Sequence, residues 1–200
     1  MPLGAFKAAL MGTAGVSTGD VVLLSSQTAD EDSELEFTSG LTSTYGEYIF
    51  RFYNIHPQTD NVNFQFNLSI DSGSNYNVAK ISTSFRAQHG EDDSSAVLNY
   101  DAAFDLPTGS SSAGVTNDQP IADTGNDADQ NIAGELHLFN PASTTYVKHF
   151  YSQTNATRLN DLTQIYHIGG YGNTTSAVNA VSFKMSSGNF DGVIQMYGIA

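Results

Sequence analysis

The spacing that comes nearest to a chemical site is Asp123-Thr124-Gly125-Asn126-Asp127-Ala128-Asp129-Gln130-Asn131. Oxygen ligands at alternating positions suit a hard cation such as Ca²⁺, and Asp127, Asp129 and Asn131 have the opening spacing of such a loop. The pattern then fails. Gly134 and Glu135 miss the places where an EF-hand needs its turn glycine and closing bidentate carboxylate, and nothing predicts flanking helices. A solvated acidic loop is therefore expected, with Asp127, Asp129 and Asn131 kept as candidate metal ligands. A second spacing, Ser69-Ile70-Asp71-Ser72-Gly73-Ser74-Asn75-Tyr76, fits the form S-x-D-x-G-x-x-aromatic. There the carboxylate accepts turn amides, glycine takes the awkward φ and the aromatic packs beneath. Ser69, Asp71, Gly73 and Tyr76 are expected to staple a turn rather than hold a ligand.

The five histidines, His56, His89, His137, His149 and His167, form no H-x-H or H-E-x-x-H pair. His137, His149 and His167 fall in expected strands and could approach one another across a sheet, but ordinary hydrogen-bonded strand positions are the expectation. His89-Gly90-Glu91-Asp92-Asp93 reads as an acidic, solvated tip. There is no G-x-S-x-G elbow, and the glycines form no phosphate loop. Glycosidase chemistry needs two carboxylates about 5–10 Å apart, which a chain with 21 acids leaves open. The absence of Trp weighs against a sugar cleft built on broad aromatic platforms. The expectation is a protein that is not an enzyme and carries no cofactor.

The elements that would position these residues are strands. In Tyr48-Ile49-Phe50-Arg51-Phe52-Tyr53-Asn54-Ile55 one face carries Tyr48, Phe50 and Phe52. Pro57 closes that strand because proline cannot donate to a central ladder. In Val62-Asn63-Phe64-Gln65-Phe66-Asn67-Leu68-Ser69-Ile70 the alternation is complete. Val62, Phe64, Phe66, Leu68 and Ile70 are assigned to the core, and Asn63, Gln65, Asn67 and Ser69 to solvent. Val21-Val22-Leu23-Leu24 reads as a short buried strand, followed by an acidic connection over 28–36. Further strands are expected at 76–87, 97–100, 135–139, 146–153, 165–171, 178–185 and 193–199. The Ser186-Ser187-Gly188-Asn189 turn is expected to close a C-terminal hairpin. Residues 105–131 read as a long polar loop.

About ten short strands with turn signals between them predict an all-β fold, an antiparallel β-sandwich of jelly-roll-like form. Residues 20–200 read as one domain. Residues 1–19, small and apolar without helical periodicity, read as an N-terminal arm anchored through Phe6, Leu10 and Met11. Phe50, Phe52, Phe64, Phe66, Leu68, Phe183 and Met196 are expected in the core.

Seven Lys plus Arg against 21 Asp plus Glu give a formal charge of −14 with His neutral. Such a chain lacks the cations whose counterion release drives nucleic-acid binding, and it is disfavoured at anionic membranes. Cysteine is absent, which excludes disulfides and thiolate metal sites. No apolar run approaches the roughly 20 residues of a membrane span. The acidic segments 28–36 and 89–93 are expected to face solvent.

Several phrases together resemble a group of tailed-phage virion structural proteins of marine or cyanophage type. They are Ala5-Phe6-Lys7-Ala8-Ala9-Leu10-Met11-Gly12, Phe37-Thr38-Ser39-Gly40-Leu41, Tyr45-Gly46-Glu47-Tyr48 and Asn54-Ile55-His56-Pro57. Then come Asp71-Ser72-Gly73-Ser74-Asn75-Tyr76, Leu136-His137-Leu138-Phe139-Asn140-Pro141, Ser143-Thr144-Thr145-Tyr146-Val147-Lys148-His149-Phe150, and the closing SSGN turn with Tyr197-Gly198. The likeness covers most of the chain outside residues 88–131. It implies a non-enzymatic β-sandwich on a virion, made in the host cytoplasm. Its implied partners are other capsid or tail proteins and further copies of itself, with a trimer favoured, and a host surface glycan is a further candidate. An oligomeric capsid decoration or knob subunit suits a short chain without a shaft signal. A tail fibre, spike or adaptor module is the alternative within the class. A carbohydrate-binding or glycan-cleaving jelly-roll domain is the alternative outside it.

Overall fold

Alternating side chains become twelve strands among the residues that the computed structural model describes, 20–107, 118–158 and 161–199. They are β1 (Val21–Asp32), β2 (Glu34–Phe37), β3 (Glu47–Pro57), β4 (Val62–Ser69), β5 (Lys80–Gly90) and β6 (Ala96–Tyr100). Then follow β7 (Gln119–Thr124), β8 (Ile132–Phe139), β9 (Lys148–Arg158), β10 (Leu162–Gly172), β11 (Ala180–Met185) and β12 (Phe190–Ile199). Two antiparallel sheets result, and the protein is an all-β sandwich. The larger sheet runs β1-β12-β3-β8-β9-β10-β5-β6, and the smaller runs β2-β11-β4-β7.

The pairing is nested. β4 pairs β7, β3 pairs β8, β2 pairs β11 and β1 pairs β12. These eight strands form one long folded hairpin whose arms step between the two sheets. The segments β5–β6 and β9–β10 are inserted after β4 and β8. Both add to the larger sheet beyond β8, which widens it to eight strands.

Phenylalanine closes the sandwich. Phe183 on β11 lies with its ring centroid 5.2 and 5.3 Å from Phe50 and Phe52 on β3 of the facing sheet. Phe64 and Phe66 on β4, at 6.0 and 6.4 Å, and Phe37 on β2, at 6.1 Å, complete the cluster. Edge-to-face and offset contacts of this kind add to the area buried. Phe50, Phe52, Phe64, Phe66, Leu68, Phe183 and Met196 are all buried, as expected.

Other expectations are corrected. Gln65, Asn67 and Ser69 are buried rather than solvated, because segment 76–80 and Asp118 cover that side of β4. Ile70 is exposed, since β4 ends at Ser69 and Ile70 opens the following turn. Val21 and Leu23 are exposed on an edge strand, and the acidic stretch 28–36 belongs to β1 and β2 instead of forming a connection. Its carboxylates still point outward, as do those of 91–93. The polar stretch 105–131 contains β7, every residue of which is buried. β11 and β12 are not a hairpin: they lie in different sheets, and residues 186–189 cross between them. Phe6, Leu10 and Met11 lie outside the described residues.

Replacing Phe183 by Ala should lower stability by about 3–5 kcal/mol in a denaturant titration. Ile70→Ala should stay within about 0.5 kcal/mol. Equal losses for the two would contradict the assigned faces.

Candidate functional site

In the larger sheet every second side chain leaves the core, and the register lines these up across strands. One row runs Leu23, Tyr197, Ile49, His137, Tyr151, Gly169 and Thr83. The next runs Gln195, Arg51, Glu135, Gln153, His167, Phe85 and Tyr100. Cross-strand neighbours on one face lie close enough for their rings to meet. The outer face is accordingly a field of stacked rings. His137 lies on Tyr151 with centroids 4.3 Å apart and planes 14° from parallel, and His167 lies on Phe85 at 4.8 Å and 15°. At the other end the Arg51 guanidinium sits 5.2 Å above the Tyr197 ring.

One half of this face carries a linked charge cluster, while in the other half the Asp105 carboxylate accepts from Tyr100. His137 Nδ1 lies 2.5 Å from Glu47, its Nε2 lies 3.0 Å from Glu135, and Glu135 also meets Arg51 at 3.5 Å. Burial, followed by the charges of Glu47 and Glu135, raises the Tyr151 hydroxyl above its ordinary pKa. Beyond Tyr151 the outward groups are Gln153, His167, Phe85 and Thr83 over the bare backbone of Gly169, and none is a carboxylate. A Cβ at Gly169 would meet nothing within 4 Å, so the backbone floors an open groove of about 270 Å³ between Tyr151 and Phe85. A similar hollow of about 320 Å³ lies beside Arg51, Tyr53 and Gln153. Both are shallow and sit at the low end of ligand-site volumes. They can lodge an extended chain or the face of a ring, and they present no nucleophile with a base behind it.

The residues singled out from sequence fall elsewhere. Asp127 and Asp129 are exposed on the β7–β8 connection, where Asp127 accepts from the Gln130 side chain at 3.3 Å. Among the described residues no three His, Cys, Asp or Glu side chains converge to hold a metal. Asp71 accepts from Ser69 Oγ at 2.7 Å, from Asn75 Nδ2 at 2.7 Å and from the Asn75 amide at 2.9 Å, while Gly73 takes a φ of +89° against Tyr76. The Asn75 and Ser69 bonds hold the Asp71 carboxyl below its ordinary pKa of 3.8. His149 meets Tyr171 at 5.7 Å and His89 meets Asp93, so the strand histidines do not form one cluster.

Sequence reading missed the buried polar groups. Tyr166 donates to Asp123, which also pairs with Arg158 at 2.7 Å, and burial raises the Tyr166 hydroxyl strongly. Lys148 is fully buried and caps the Tyr146 carbonyl at 2.6 Å. Lys80 is buried beside Asn67. One signal was available: Lys148 shares parity with Phe150 along β9, which places it inward.

No family model, no curated protein and no solved structure matches this chain.

The two adjacent glycines of β10 give a test of the face. Gly169→Ala should change stability by less than about 0.5 kcal/mol. At Gly170 a Cβ would stand 2.2 Å from the Ile81 carbonyl oxygen, so Gly170→Ala should cost about 1–3 kcal/mol or more. Thermal melts compare them, and a costly Gly169→Ala would mean that the groove is filled.

Proposed function

We propose that this chain is a non-enzymatic structural subunit of a tailed-phage particle, an oligomeric capsid decoration or knob protein. The nested pairing supports reading the sandwich as a jelly roll with two insertions, an architecture that viral capsid and lectin domains share. Architecture alone does not assign a role. The resemblance of several sequence phrases to phage structural proteins supports the class, and the surface supports the mode of action.

The observation that carries the reading is apolar exposure at both edges of the larger sheet. On β1, Val21 and Leu23 are half exposed. At the far edge Leu98 is 74% exposed and Tyr100 56%, beside Val97 and Phe85. Edge strands with unpaired backbone groups and apolar side chains are templates for pairing unless something covers them. A chain of charge −14 resists association through most of its surface, so its contacts concentrate at the apolar stretches of these edges, Val21 to Leu23 and Val97 to Leu98. In this reading residues 1–19 lead into the β1 edge and anchor the subunit to the particle. The β6 edge meets further copies, with a trimer favoured, and the protein is made in the host cytoplasm and resides in the virion.

A tail fibre, spike or adaptor module would use the same edges. A second reading, glycan binding, draws on the groove over Gly169, where Tyr151 and Phe85 offer rings beside His167 and Thr83. That groove also suits host-surface contact by a virion protein.

Purified particles should contain the chain in stoichiometric copy number by mass spectrometry. They should keep it as salt rises from low to seawater-like levels, because apolar contacts outlast screening, whereas ion pairs weaken as the Debye length falls from about 8 Å at 0.15 M to about 3 Å at 1 M. Leu98→Asp should leave a folded monomer by circular dichroism and light scattering. Release by moderate salt, or an unchanged oligomer in Leu98→Asp, would contradict edge-mediated assembly.

A further inference from the structure

Asn67, Lys80 and Asp118 meet where β4 loses its neighbour. Pairing of β4 with β7 stops at Phe66, and Val78 then takes the ladder position, its amide donating to the Leu68 carbonyl. This brings Lys80, the first residue of β5, against the side chain of Asn67. Lys80 Nζ lies 2.6 Å from Asn67 Oδ1 and 3.1 Å from the Val78 carbonyl oxygen, and the Phe66 ring lies 5.5 Å away. Asn67 Nδ2 donates to Asp118 Oδ1 at 2.9 Å and to the Tyr76 carbonyl at 2.8 Å. The other Asp118 oxygen pairs with Lys184 at 3.0 Å. Asn67, Lys80 and Asp118 are 2%, 1% and 5% exposed.

An amine is thus held against a carboxamide whose nitrogen already touches a carboxylate, in a site closed to water. We propose that Lys80 and Asn67 join through an autocatalytic intramolecular isopeptide bond, with Asp118 relaying the proton. The lone pair of the neutral Nζ attacks Asn67 Cγ, forming the C–N bond while the carbonyl electrons move onto Oδ1. In the tetrahedral intermediate Nζ and Nδ2 share Cγ, so Asp118, already in contact with Nδ2, takes the proton from Nζ there and delivers it to Nδ2. Collapse of the tetrahedral intermediate restores the carbonyl, breaks the Cγ–Nδ2 bond and releases ammonia. An amine and a primary amide become a secondary amide and ammonia, with no oxidant, reductant or co-reactant.

The surroundings suit each requirement. Burial draws Lys80 down to about 7, against the opposing pull of Asp118 and with the help of Lys184, so the nucleophilic amine is well populated at neutral pH. Lys184 holds one Asp118 oxygen at 3.0 Å, which leaves the other turned toward Asn67. Fixed orientation makes the attack intramolecular, which substitutes for the activation that free amides lack. The product ties β4 of the smaller sheet to β5 of the larger one. Such a tie suits a shell protein exposed to mechanical and chemical stress, but the chemistry does not depend on that role.

The test is the intact mass of the denatured full-length protein after folding, followed by a protease digest. The expected result is a mass lower than the sequence mass by one ammonia, with a branched peptide joining the segments that contain Asn67 and Lys80. Lys80→Met should show the full sequence mass. Asp118→Ala, which keeps both reacting groups, should remain unlinked or link at least tenfold more slowly. A folded wild-type chain at full mass with only linear peptides would overturn the proposal. Ammonia loss that persists in Lys80→Met would do the same, by placing the loss at another asparagine. If either variant fails to fold, the wild-type digest still decides.

Discussion

The ring of Phe183 is the point on which the two sheets close. It comes from the smaller sheet, lies between Phe50 and Phe52 of the larger one, and is flanked by Phe37, Phe64 and Phe66. Aromatic packing across the gap sets the spacing of the sandwich. That spacing fixes which side chains of β3, β8, β9 and β10 face inward. The outer rows of rings exist because the inner rows are committed to this cluster: Tyr151 faces out because Phe150 faces in, and His167 because Tyr166 and Ile168 do.

The same enclosure explains where polar groups are tolerated. An acidic chain keeps almost all its carboxylates outside, yet Asp118, Asp123 and Asp101 are buried, each against a cation: Lys184, Arg158 and Arg86. With only seven Lys and Arg in the chain, using several of them inside leaves the surface more negative still. Buried ion pairs are a weak source of stability but a costly thing to break. Arg158 on β9 and Asp123 on β7 join an insertion to the nested strands, Arg86 and Asp101 close the β5–β6 insertion on itself, and Lys184 ties β11 to the start of β7. The apolar ground left on the surface is at Val21 and Leu23 on β1, at Val97 and Leu98 on β6, and in the rings around Gly169.

What the sequence disclosed was what depends on local periodicity. Phe50, Phe52, Phe64, Phe66 and Leu68 announce their faces through strict alternation, and Pro57 ends β3 as its missing donor requires. What it withheld depends on partners distant in the chain. Asn67 and Ser69 alternate like solvated residues, but the segment that buries them arrives only after a turn. β7 reads as a loop because Gln119, Asp123 and Thr124 are polar, and their burial is made possible by Phe104, Tyr166 and Thr157 far away. The turn at 186–189 has hairpin chemistry, but turn chemistry does not say which sheet the next strand joins. For the same reason no pattern could align Tyr151, His167 and Phe85, or bring Lys80 to Asn67. Those meetings belong to register and topology.

If the ring field around Gly169 and the β6 edge are the contact surface of an assembling subunit, their side chains must become protected when it assembles. Hydroxyl-radical footprinting of the free chain and of the chain within particles measures this directly. Phe85, Leu98, Tyr100 and Tyr151 should react in the free protein and lose most of that reactivity in the particle, while Tyr166 and Phe183 stay silent in both. Undiminished labelling of these four residues in the particle would contradict the assignment of this surface to assembly.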